Sequence, residues 1–202
     1  GIAKFPKGAE LYLRPMFWAA EGFVDVDPES TEFSVSVYDA PLPKPTGFSI
    51  TCSPFRRPSY EFAPTDAKAA CHYPNSARAI REAKSRGFDN AVMLDPLSNV
   101  AELATANIWL AKNGEAHTPV PNGTFLNGVT RQRVINLLRK AGVTVIERSI
   151  RWQEFLEADE VFSTGNYSKV APVTRVEQKS YQPGPMMAKA RELYWDYAHS
   201  GK

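Results

Sequence analysis

The hydrophobic period of this chain switches from 3.6 to 2 in two places, and a glycine marks each switch. Residues 75–86 carry Ala77, Ile80 and Ala83 on one helical face and stop at Gly87, after which residues 90–95 form a short apolar run of strand type. Residues 130–140 repeat the arrangement, with Thr130 as the expected N-cap and Gly142 as the stop, before a strand over 143–147. A chain that alternates in this way builds a sheet with helices packed on it.

Most of the remaining segments read as strands: 11–18, 33–38, 48–52, 160–163 and 170–176. Residues 107–112 run into Asn113-Gly114, a strong hairpin signal. A short helix is expected over 153–158 and a terminal one over 184–199, apolar at Met187, Ala190, Leu193 and Tyr194. The proline-rich stretch 41–45 is a stiff loop, and a second loop, 53–58, leads towards Lys68. With no repeats and 43% hydrophobic residues to fill a core, the expectation is one α+β domain. Its first strand, 11–18, reads as buried.

Charge narrows the function. The 24 basic and 22 acidic residues leave no footprint for nucleic acid or an anionic membrane. Apolar runs such as 108–111 are too short to cross a bilayer, and residues 1–6 have no secretory h-region. Cys52 and Cys71 make no CxxC pair, which suits a reducing cytoplasm, and His72, His117 and His199 lack metal-ligand spacing, so no metal site is expected.

Four places can carry chemistry. Lys68 has small or apolar neighbours, an environment that favours a reactive amine, although taken alone it reads far more readily as a solvated loop lysine. Glu102 sits among apolar residues. If buried it needs a partner, and a protonated ring nitrogen would serve; if exposed it is an edge-strand glutamate. In the segment 126–131 a glycine turn enters a helix, where the amides of Val129 and Thr130 and the Thr130 hydroxyl can hold an anion or simply cap the helix. Gly165-Asn166-Tyr167-Ser168, at a strand end, offers a second set of amides.

Taken together, these segments resemble the class IV (fold type IV) aminotransferases, which depend on pyridoxal phosphate (PLP), and within them the branched-chain amino acid aminotransferases. The likeness runs from Tyr12 to Val173 in eight ordered blocks, with 34 positions from Lys68 to Glu102 and 58 from Lys68 to Leu126. It implies an α+β fold, a pseudo-barrel of β-sheets with flanking helices. Lys68 would be the Schiff-base lysine and the proton carrier, Tyr73 would bond the cofactor's phenolic oxygen, and Glu102 would pair with the ring nitrogen. Leu126 would pack on the ring, while Val129, Thr130 and the Asn166 amide would hold the phosphate. Tyr12, Arg14 and the Tyr167 amide would serve the substrate, Tyr12 and Arg14 forming the Tyr-x-Arg strand of the branched-chain group.

The implied reaction exchanges an amino group between a branched-chain amino acid and 2-oxoglutarate, and the implied assembly is a homodimer. D-amino-acid and (R)-amine transaminases and aminodeoxychorismate lyase share the fold and stay as alternatives. Two stretches depart from the family: Leu103-Ala104-Thr105-Ala106 replaces a glycine-rich step, and Asn166-Tyr167-Ser168-Lys169 replaces the usual small residues after Gly165, Asn166 standing where a threonine is common. The family's smaller N-terminal α/β domain, of roughly a hundred residues, has no counterpart before Tyr12. Residues 1–202 are therefore expected to be the larger PLP-binding domain, and a catalytically incomplete PLP-binding fragment is the remaining alternative.

Overall fold

The computed structural model describes residues 1–201, which fall into two compact units, residues 1–43 and 44 onwards. The first unit is an antiparallel ribbon of β1 (Leu11–Ala19) and β2 (Thr31–Asp39), in register from Leu11 opposite Asp39 to Ala19 opposite Thr31. One face pairs Leu13 with Val37, Pro15 with Val35 and Phe17 with Phe33, while Tyr12 stacks on Tyr38 with centroids 5.3 Å apart. The expectation of a buried first strand fails here: Phe17 is 72% and Phe33 54% exposed. A two-stranded ribbon buries a face only against another layer, and residues 1–43 contain none.

The second unit is built on a nine-stranded mixed sheet. Its strands are β3 (Phe48–Cys52), β4 (Asn90–Leu94), β5 (Val100–Leu103), β6 (Asn107–Lys112), β7 (Glu115–Pro119), β8 (Val145–Arg148), β9 (Glu160–Gly165), β10 (Lys169–Val176) and β11 (Lys179–Ser180). The order is β5-β4-β3-β10-β9-β6-β7-β8, with β11 beside β10. The two ends of this path meet: the Val100 amide on β5 donates to the carbonyl of Ile150, just beyond β8, at 2.8 Å. The sheet is thus curled into the expected pseudo-barrel.

Both faces of the sheet are covered, which is why the strands read as apolar runs. Alternate residues separate to opposite sides. Val92, Ile108, Leu110 and Val161 join one core with Ile50, Val173 and Phe155. Trp109, Ala111 and Phe162 join another, under α2 (Val129–Lys140) and α4 (Pro185–His199). Met93 and Ala91 pack with Ala79 and Ala83 of α1 (Tyr73–Ser85). A short α3 (Trp152–Leu156) buries Phe155. No described helix is long and apolar enough to cross a membrane.

Two local expectations shift. Helix α1 begins at Tyr73, because Pro74 fits a first turn, and its buried face is Ser76, Ala79 and Ala83, with Ala77 in solvent. In α2 the N-cap is Gly128, whose extended backbone (φ −61°, ψ 140°) starts the helix at Val129, so Thr130 lies inside the first turn and caps nothing. The hairpin forms as read, with Asn113 and Gly114 both at positive φ between β6 and β7.

Candidate active site

Glu102 lies on β5, at one end of the strand path, yet only 8% of it is exposed because the sheet curls over it. Arg57 Nη2 lies 3.3 Å from its Oε1, and Asn107 Nδ2 donates to its Oε2 at 3.2 Å. Burial nevertheless dominates and pushes the carboxyl up to about 7, opposed by the charges of Arg57 and Lys68 and by the Leu126 amide. The site holds a carboxylate that is short of positive charge. A cationic ring or a ring N–H presented to Glu102 would relieve it.

The remaining pieces are tied to this carboxylate. Asn107 Nδ2 also donates to the Leu126 carbonyl at 2.9 Å, so one side chain joins Glu102 to the 126–131 turn. That turn needs Gly128, since a Cβ there would collide with Asn107 Oδ1. Beyond it the first-turn amides of α2 have no intrahelical acceptor, and the helix dipole adds to their pull on an anion. Val129 is 82% exposed, so these amides lie at the surface.

Arg131 fixes the turn from below. Its buried guanidinium donates to Asn127 Oδ1 at 2.8 Å, the Pro119 carbonyl at 2.7 Å and Glu147 Oε2 at 2.9 Å.

Lys68 is exposed, in a turn between Thr65 and the short 3-10 helix Ala70–His72. Two bonds anchor this loop: Thr65 Oγ1 donates to the Gly123 carbonyl at 2.7 Å, and His72 Nε2 lies 2.9 Å from the Pro64 carbonyl. Arg57 Nε donates to the Thr124 carbonyl at 3.2 Å, so the segments before and after Glu102 converge on one loop, 121–128. Tyr73, exposed, opens α1 at the end of the lysine loop.

The second turn joins β9 to β10, and Thr164 of β9 pairs with Asn107 of β6, which brings Gly165 towards the same centre. Asn166 and Tyr167 are exposed there, and Asn166 Oδ1 accepts from Lys169 Nζ at 3.0 Å. A cavity of about 430 Å³ flanks the turn, lined among others by Asn90, Thr105, Ala106, Tyr167 and Ser168. Both stretches that depart from the family pattern border it.

Glu102 and Leu126 are thus joined through Asn107, Lys68 acts on Glu102 through its charge, and Val129 and Thr130 follow in the first turn of α2, with Asn166 and Tyr167 on a neighbouring turn. Tyr12 and Arg14 belong to the ribbon of residues 1–43. Three residues not chosen from the sequence hold the set in place: Arg57, Asn107 and Arg131. Asn107 and Arg131 stand inside the matching blocks and could have been found there; Arg57 pairs across 45 positions and left no local signal.

The family model described as "Amino-transferase class IV" matches residues 1–176. A probable branched-chain-amino-acid aminotransferase of Aquifex aeolicus is 34% identical over 196 residues, covering 93% of this chain and 63% of its own length. The branched-chain-amino-acid aminotransferase of Pseudomonas aeruginosa is 33% identical, covering 95% of this chain and 65% of its own length. This chain therefore spans less than two thirds of these curated relatives. Among solved structures, an aminotransferase from Brucella abortus bound to PLP superposes with TM-score 0.96 at 50% identity, over 98% of this chain and 72% of that one. The branched-chain amino acid aminotransferase of Thermobaculum terrenum in its PLP form gives 0.88 at 26% identity, over 95% and 65%. On its fold, its ordered motifs and these matches, the chain belongs to the class IV aminotransferases.

Proposed function

We propose that this chain carries the PLP-binding domain of a transaminase that moves an amino group between a branched-chain amino acid and 2-oxoglutarate. The observation that carries the reading is the setting of Glu102: a buried carboxylate short of positive charge, joined by Asn107 to the turn with the free helix amides. PLP matches this donor set, with a basic ring nitrogen for Glu102, an aldehyde for a lysine and a phosphate for α2. Gly128 keeps the turn free of a Cβ that would displace Asn107.

Bound PLP supplies an aldehyde that captures amines and a ring that takes up the electron pair left when a proton departs from Cα. Lys68, exposed on its anchored loop, would hold the aldehyde through its amine and, once displaced by the substrate's amine, would take the proton from the substrate Cα. Glu102 keeps the ring nitrogen protonated, and its buried position strengthens that pairing. Val129 and Thr130 bind the phosphate through their amides, with the Asn166 amide as a further donor. Leu126 would pack against the ring, and Tyr73 would orient it at the phenolic oxygen. The Tyr167 amide would receive the substrate carboxylate, and the family resemblance assigns Tyr12 and Arg14 to substrate recognition.

The Tyr-Leu-Arg strand and the relatives named as branched-chain enzymes support this substrate class. Half-reactions of the PLP-loaded chain with L-leucine, D-alanine, (R)-phenylethylamine and aminodeoxychorismate test it. L-leucine should convert fastest, and a faster reaction with any of the other three contradicts the assignment. Firm PLP retention without turnover on all four supports the alternative of a cofactor-binding unit that is incomplete by itself.

A further inference from the structure

Three arginines, Arg56, Arg57 and Arg78, line an open cavity of about 460 Å³ together with Cys71, Pro74 and Asn75. Arg57, 5% exposed, is the partner of Glu102. Among the described residues neither Arg56 nor Arg78 has a carboxylate within ion-pair distance. Surface arginines without partners are common, but these two are held. Arg56 Nη1 donates to the Asp95 carbonyl at 2.7 Å. The Arg78 guanidinium lies over the Phe55 ring at 4.2 Å, and its Nε donates to Asn75 Oδ1 at 2.8 Å. Asn75 Nδ2 closes the frame on the Arg56 carbonyl at 2.8 Å. Like charges fixed around one cavity repel each other and leave N–H groups free for a counter-charge. The first turn of α1, at Pro74 and Asn75, adds the positive end of a helix dipole.

We propose that this cavity binds a small dianion, a short dicarboxylate or a phosphate group, between Arg56 and Arg78 with Arg57 behind them. Guanidinium groups match oxyanions in bidentate geometry, and side chains already held lose little entropy on binding. The volume lies within the range of small-molecule sites. Arg57 is shared with the Glu102 centre, but Arg56 and Arg78 make no bond to the turn of α2, so the anion site stands whether or not that turn binds PLP.

Cys71 is an exposed thiol on the cavity wall and reports its occupancy. Burial pushes the Cys52 thiol up to about 11, so it supplies little thiolate to compete. The experiment follows alkylation of Cys71 by iodoacetamide in the full chain, with PLP present and absent, by mass spectrometry. Malonate and inorganic phosphate are each compared with chloride at matched ionic strength. Protection of about fivefold is expected when the anion reaches a few times its dissociation constant. The protection should vanish in the Arg56→Gln/Arg78→Gln variant and persist in Lys84→Gln, a change of charge elsewhere on α1. Protection by malonate alone identifies a dicarboxylate site, and protection by phosphate alone a phosphate site. Arg78→Gln by itself, at an exposed position, gives the same comparison with a partial loss if the double variant fails to fold. Absence of protection by both anions, or equal protection in the arginine variants, overturns the proposal.

Discussion

Replacing Glu102 by Gln keeps the shape of the side chain and removes its ionisation. Burial raises this carboxyl from an ordinary 4.5 to about 7. Between those values the folded protein holds a proton that the unfolded chain has released, so this group's contribution to stability falls as pH rises from 4.5 through 7. A gap of about 2.5 pH units, at about 1.4 kcal/mol each, amounts to about 3 kcal/mol lost by pH 8. The carboxamide of the Glu102→Gln variant keeps one acceptor oxygen, for Arg57; its NH2 group then faces Asn107 Nδ2, which retains its bond to the Leu126 carbonyl. This cost is independent of pH and leaves the slope of the comparison unchanged. Urea unfolding of PLP-free protein at several pH values between 5 and 8.5 measures the effect, and other titrating groups cancel in the difference between variants. Wild type should lose about 2–3 kcal/mol relative to Glu102→Gln across that range, part of the change having occurred below pH 5. With PLP bound the order reverses, because a ring cation favours the carboxylate, and Glu102→Gln should retain PLP less well at pH 8. Parallel pH profiles for the two proteins, without PLP, would refute the reasoning.

Thr130→Ala should change stability by less than about 0.5 kcal/mol in thermal or urea unfolding, where loss of a true N-cap costs about 1 kcal/mol, since Thr130 caps nothing here. Gly128→Ala drives a Cβ into Asn107 Oδ1, and should cost about 1–3 kcal/mol of stability and lower PLP retention in equilibrium dialysis. Glu160 accepts from the Met186 and Met187 amides at 2.9 and 3.0 Å and so fixes the start of α4. Glu160→Ala should cost about 2 kcal/mol in urea unfolding, and Gly184→Ala should also destabilise, because its Cβ meets the same carboxylate.

Local signals carried much of this structure. Strand β3 runs over the five residues expected, and Gly142, at φ 79°, ends α2's turn where the pattern stopped. Such boundaries depend on dihedral preferences that a single residue expresses. The buried face of α1 departs from the apolar pattern by one position because the buried Ser76 carries no apolar signal, while the exposed Ala77 does. Long-range pairing was out of reach: β3 lies parallel to β10 with Phe48 opposite Val173, a register no local pattern encodes. The same holds for the site. Glu102 was legible as a carboxylate in apolar company, but its burial depends on the closure between Val100 and Ile150, and its partner Arg57 comes from a loop 45 positions earlier.

In the proposed site Lys68 is the amine that holds PLP beside Glu102. Borohydride reduction of the PLP-loaded chain, followed by peptide mapping, tests it most directly. The account predicts about one PLP adduct per chain, carried by the peptide that contains Lys68, and no adduct of comparable yield in Lys68→Ala. An equal yield in Lys68→Ala, or an adduct concentrated on another lysine such as Lys169, would contradict it.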